Sequence, residues 1–194
     1  MSNPIEMFLK RFNIKKETFS LYGVFGLTVF DISTGVPVKK LRIQKKNQIT
    51  NQGRTAVLNL MCPYAYILLG GAQSELIISS LAVGVNPILP TAADDNTTMT
   101  RVWHEPFDYG AGECSVVANP PNDFMLSISK TLPDTEVNGS ILTEAGIFTA
   151  GTDPGNPMTS PGSFLYARQV HSPIIKTATM TILYDWQLGI TIQG

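Results

Sequence analysis

Residues 178–192 read ATMTILYDWQLGITI, and the spacing of this stretch decides the fold. Met180, Ile182, Tyr184, Trp186, Leu188 and Ile190 recur at every second position. A period of two lines one face of a β-strand, whereas a helix needs apolar residues three and four apart. Working outward, Asp123 to Leu132 (DFMLSISKTL) alternates in the same way, with Phe124, Leu126 and Ile128 on one side. Val38 to Ile43 alternates apolar with basic residues. It follows a strand-like Val24 to Ile32 and a Ser33-Thr34-Gly35 turn, so the two form a hairpin with one wet, basic face.

Further strands are expected at Leu76 to Val85, Arg101 to Phe107, Cys114 to Ala118 and Ser163 to Val170. Turn signals recur about every ten residues, and the chain holds 16 Gly and 13 Pro. That pattern marks an all-β antiparallel sandwich or a jelly-roll-like barrel. One body helix is expected, NQGRTAVLNLM (Asn51 to Met61): Thr50 or Asn51 caps it, Ala56, Val57, Leu60 and Met61 fall at helical spacing, and Pro63 stops it. Residues 20–194 make one domain, preceded by an arm, residues 1–19. In the arm Ile5, Phe8, Leu9 and Phe12 form an apolar stripe, with Lys10, Arg11, Lys15 and Lys16 off it. So short a helix is unstable alone and must dock. Phe8, Leu9, Arg11, Phe12, Lys15 and Lys16 are therefore candidate contacts to another subunit or partner.

Charge narrows the function. Only 15% of residues are charged, against roughly 25% in ordinary soluble domains, as suits a surface that meets other subunits. The net charge of -1 hides a division. Residues 1–54 hold ten basic and three acidic side chains, and residues 55–194 hold four and twelve. A basic end meeting the acidic body of a neighbouring copy accounts for this as well as a nucleic-acid arm would. Aromatic residues are not threaded with Arg and Lys as a stacking platform requires, so nucleic acid is not expected. No leader of the secretory kind opens the sequence, and YAYILLGGA (Tyr64 to Ala72) is too short to span a bilayer. The expected setting is a cytoplasm, without membrane.

The search for chemistry finds little. Cys62 and Cys114 form no CxxC pair, and two His are too few to complete a zinc site with them. Asp94-Asp95-Asn96 lacks the alternate ligands and central Gly of a calcium loop. His104 neighbours Glu105, but adjacent strand residues face opposite ways. No nucleotide-binding or hydrolase motif surrounds His171. No catalytic residue, cofactor, metal or small-molecule substrate is expected. LTEAGIF (Leu142 to Phe148) instead reads as a tight turn in which Glu144 and Gly146 flank Ala145. Glu144 can pair with Arg168 or Lys176 across the fold. Pro173 suits an edge, or a bend where a strand changes sheet.

The order of these motifs carries a resemblance. KNQITNQGRTAVLNL (Lys46 to Leu60) is followed by SLAVGVN (Ser80 to Asn86), a Thr-rich loop and Arg101. NGSILTEAGIF (Asn138 to Phe148) and FLYARQVHSPIIKTATMTILYDWQLGI (Phe164 to Ile190) come next. Across residues 24–192 this order resembles a group of small virion structural proteins of tailed bacteriophages. Each motif is short, and their order is the stronger signal. The resemblance implies a non-enzymatic particle component, assembled in the host cytoplasm in symmetric copies, with itself and other virion proteins as partners. The place it implies first is the tail, collar, baseplate or fibre-anchoring apparatus. The alternative is a capsid decoration (cement) protein on the outer head shell. Two further readings stand apart from the resemblance. One is a carbohydrate-binding receptor-recognition module using Trp103, Tyr109, Trp186 and the Asn86 to Thr100 loop. The other is a hydrolase using His171 and Glu144.

Overall fold

The computed structural model describes residues 18–43, 48–61, 77–95, 97–119, 123–150 and 164–193. They form two five-stranded antiparallel sheets packed face to face, with one helix. The first sheet takes the order β2-β1-β10-β7-β6, from β1 (Thr18–Asp31), β2 (Pro37–Ile43), β6 (Cys114–Asn119), β7 (Asp123–Leu132) and β10 (Met180–Gln193). The second takes the order β3-β9-β8-β4-β5, from β3 (Gln48–Ile49), β4 (Ile78–Gly84), β5 (Arg101–Pro106), β8 (Ile141–Thr149) and β9 (Leu165–Ile175). The chain changes sheet four times, so each sheet mixes early and late strands. The all-β sandwich read from the alternation is the fold observed.

The alternating faces build the core. In β10, Ile182, Tyr184, Trp186 and Leu188 are buried, while Leu183, Asp185 and Gln187 between them are half-buried. In β1, Phe25, Leu27 and Val29 point inward. Register aligns Phe25, Trp186, Ile128 and Cys114 in one row across the first sheet. Phe25 meets Trp186 edge-on at 4.9 Å between ring centres, a favoured aromatic arrangement. The second sheet contributes Leu81, Val83, Trp103, Ala145, Ile147 and Ala167 to the same core.

The helix, α1 (Asn51–Met61), begins where its cap was expected. The Thr50 hydroxyl accepts the Gly53 N–H at 3.0 Å, which satisfies one of the first-turn amides. The same hydroxyl donates to the Leu165 carbonyl, and the Thr50 N–H donates to Tyr166 O at 3.1 Å. Strand β3 pairs with β9 only through Gln48 and Ile49. Thr50 and α1 then take over that side of β9, a standard way to blunt an edge strand. Gly53 permits the approach, because a Cβ there would collide with the Tyr166 backbone.

Two expectations fail. LTEAGIF is not a tight turn. It lies within β8, buried on both faces and hydrogen-bonded between β4 and β9. Gly146 does not take a positive φ. Nor does β9 end at Val170. It runs through Pro173 to Ile175, with His171, Ser172 and Pro173 standing opposite Thr143 alone. Proline fits this bulge because the ladder is already interrupted there. The arm residues Phe8, Leu9, Arg11, Phe12, Lys15 and Lys16, with Cys62, lie outside the described residues.

Candidate functional site: a buried ion network under a pinned loop

The outward face of the second sheet carries the densest polar chemistry of the described residues. Gly146 on β8 stands directly opposite Arg168 on β9, and Glu144 stands opposite Val170. Glu144 and Arg168 are thus diagonal neighbours on one face, within reach of long side chains. Arg168 Nε donates to Glu144 Oε2 at 2.7 Å. Its Nη1 donates to Asp94 Oδ2 at 2.8 Å and its Nη2 to the Asn86 carbonyl at 3.4 Å. The second Glu144 oxygen accepts the backbone N–H of Asn86 and of Thr100, each at 3.0 Å. Arg168 and Glu144 are fully buried and Asp94 nearly so.

The loop covering this face, residues 85–100, is therefore tied down by its own ends and by its middle. Val85 N–H also donates to Thr100 O at 3.0 Å, closing the neck. Gly84 makes room, since a Cβ there would stand 2.6 Å from Thr100 O and against the Glu144 carboxylate. Beneath the loop, Ala82, Met99, Phe148 and Leu165 form a second, small apolar cluster. Burial alone would raise the Asp94 pKa, but the Arg168 guanidinium and the Thr91 hydroxyl outweigh it and hold it below the usual value. Asp95 accepts from Thr97 and Thr98, so both adjacent carboxylates are engaged within the loop or beneath it.

Chemically this cluster is a brace. Glu144 has each oxygen occupied by internal donors, and Arg168 is sealed from solvent. A buried pair of this kind specifies geometry more than it adds stability. Of the two partners open to Glu144, Arg168 takes it. Lys176 is buried elsewhere and donates to Asp134 O at 3.2 Å, Asn138 Oδ1 at 3.2 Å and Thr177 O at 3.1 Å. It holds the turn at 133–140, where Val137 adopts φ 47°, a strained value for a β-branched residue. Burial lowers the Lys176 pKa, and Asp134 and Glu136 oppose that shift.

The other polar candidates are also spent on structure. His171 is buried and stacks on Phe25, with ring centres 6.1 Å apart and planes 8° apart. Its Nδ1 lies 3.0 Å from Ser172 O. Burial depresses its pKa, and Lys39 adds to that against the Ser172 bond. No hydrogen bond joins it to Glu144 among the described residues, so the hydrolase pairing does not form. His104 Nε2 bonds Ser80 Oγ at 2.7 Å, and burial, helped by Arg101, takes its pKa down to about 4. Trp103 and Trp186 are core residues, which removes them as a sugar-stacking pair. Tyr109 is exposed, and its hydroxyl donates to Ile78 O.

Asp94 and Asn86 were not anticipated as partners of Arg168. Only the folded path of the loop brings them there, and no spacing in the chain signals it. Comparison with protein-family models, curated proteins and solved structures returns no match.

Proposed function

We propose that the chain is a non-enzymatic structural component of a tailed-phage virion, assembling in symmetric copies in the tail, collar, baseplate or fibre-anchoring apparatus. The motif order from Lys46 to Ile190 supports the reading, and so does the low charge. The observation that carries it is the braced loop. Three ionised side chains fix residues 85–100, and the loop then turns Ile88 and Leu89 outward, 67% and 74% exposed. Adjacent exposed aliphatic residues on a rigid mount suit protein–protein contact, because the loop loses little freedom on docking.

The test is mass by light scattering on the full chain, on a chain lacking residues 1–19, and on an Ile88→Ser/Leu89→Ser variant, alongside a search for the protein in purified particles. An oligomer that both changes dissociate supports a self-assembling ring. A monomer that enters particles only on a finished head favours the decoration role. A monomer that never enters particles overturns the proposal.

A further inference from the structure

One glycine has no steric reason to be there among the described residues. Gly26 sits in the interior of β1, where glycine weakens a strand. The β1–β10 register runs unbroken from Thr18 to Asp31, and the β1–β2 irregularity lies at Val29 and Phe30. Gly26 has no positive φ. A Cβ at Gly26 would meet Asp185 Cβ at 3.5 Å and Asp185 Oδ2 at 3.9 Å, ordinary contact distances. At Gly53, Gly84 and Gly146, by contrast, a Cβ would collide. Packing, backbone and register would all accept alanine at position 26. What remains among the described residues is the close approach of a ligand or of another backbone, and the space above this glycine fits a ligand.

The space above Gly26 is a notch of about 310 Å³ in the outer face of the first sheet. Its walls include Val24, Lys40, Ser127, Asp185 and Gln187. Register sets them side by side: Gly26, Asp185 and Ser129 form one row, and Val24, Gln187 and Ser127 the next. Ser129 Oγ donates to Asp185 Oδ1 at 3.0 Å, which orients the carboxylate and leaves Oδ2 over Gly26. Ser127 and Gln187 make no side-chain hydrogen bond among the described residues. The volume lies at the low end of the range for small-ligand sites, roughly 300–1,000 Å³.

We infer that this notch binds a neutral, hydroxyl-rich saccharide. Strands β1, β10 and β7, which floor the notch, are each paired on both sides, and only β2, which supplies Lys40, is an edge strand there. Recognition on the floor must come from side chains. One carboxylate, one amide, two hydroxyls (Thr28 and Ser127) and one ammonium offer donors and acceptors at strand spacing, and the opposite charges of Asp185 and Lys40 suit an uncharged guest. Vicinal hydroxyls donate to the carboxylate and accept from the amide or the ammonium. Val24 gives the ring an apolar wall. The inference does not depend on the virion proposal, and the site is distinct from the buried brace.

The experiment is isothermal titration calorimetry of the full chain against neutral hexose and N-acetylhexosamine oligosaccharides, free and as cell-surface polysaccharide, at millimolar ligand. At least one probe binds. Gly26→Ala leaves the melting temperature unchanged or raises it, yet weakens binding about tenfold or more, and Asp185→Asn does the same to binding. Binding of polysaccharide alone points to a surface glycan, and binding of free sugar to a soluble one; either supports the site. No binding across the panel, or binding that survives both substitutions, overturns it. Light-scattering mass, read in parallel, reports on assembly and leaves the two proposals separable.

Discussion

Gly146 of β8 and Met99 of the covering loop compete for one volume: a Cβ on Gly146 would press into the Met99 sulfur and lie 3.0 Å from Leu165 Cδ1. The strand gives up a side chain so that the loop can insert one. Gly146→Ala should therefore destabilise by about 1–3 kcal/mol, as overpacking does, although alanine suits a strand no worse than glycine. Pairing it with Met99→Ala should recover part of the loss, because the second change frees the contested space. A double-mutant cycle by urea unfolding checks this, and simple additivity would refute the shared volume.

The brace makes a second prediction. Arg168→Met leaves Glu144 and Asp94 buried without their cation, which should cost about 3–5 kcal/mol. Glu144→Gln should cost less, since an amide oxygen can still accept from Asn86 and Thr100. Urea midpoints of the two variants decide it. If both lose the same amount, hydrogen bonding and not charge holds the loop.

Acid should weaken the fold in stages. His104 has its pKa lowered from 6.5 to about 4 by burial, so between those values the unfolded chain binds a proton that the native chain does not. Its stabilising contribution is complete above pH 6.5 and declines as the pH falls toward 4, by at most roughly 3 kcal/mol. His171, depressed by burial, acts in the same direction. Asp94, held below 3.8, continues the loss at lower pH. Melting temperatures measured across this range should slope upward with pH, and His104→Gln should flatten the part above pH 4.

Trp103 belongs to the core, so Trp103→Ala should cost about 3–5 kcal/mol. Its indole nitrogen has no hydrogen-bond partner among the described residues, so Trp103→Phe removes less volume without stranding an acceptor and should cost clearly less than Trp103→Ala. Thermal unfolding of both variants measures the difference.

Much of the fold was legible, and the reasons are local. Asp123 to Leu132 and Asn51 to Met61 match their observed bounds because alternation, a capping threonine and a following proline are all short-range signals. LTEAGIF was misread because a strand buried on both faces has no alternation to show. Its Gly and Ala resembled turn residues, whereas Gly146 clears space for Met99 of the loop and Ala145 packs in the core between the sheets. Pro173 read as an edge or a bend, and the strand before it as ending at Val170, because the bulge that accommodates the proline depends on β8 pairing. Of the brace, Glu144 with Arg168 was one of two readable pairings. Asp94 was out of reach, being 74 residues from its partner and joined to it only by tertiary path.

Thr18 pairs with Gln193, and the β1–β10 ladder forms the spine of its sheet. The first described strand must therefore wait for the last. On the ribosome, Phe25, Leu27 and Val29 emerge well before β10 and stay without those partners until it has been made. Contacts of such sequence separation fold slowly, and the waiting strand is open to aggregation. The first sheet gains its spine only once β10 is available, so the yield in a cell should depend on how well the waiting strand is shielded.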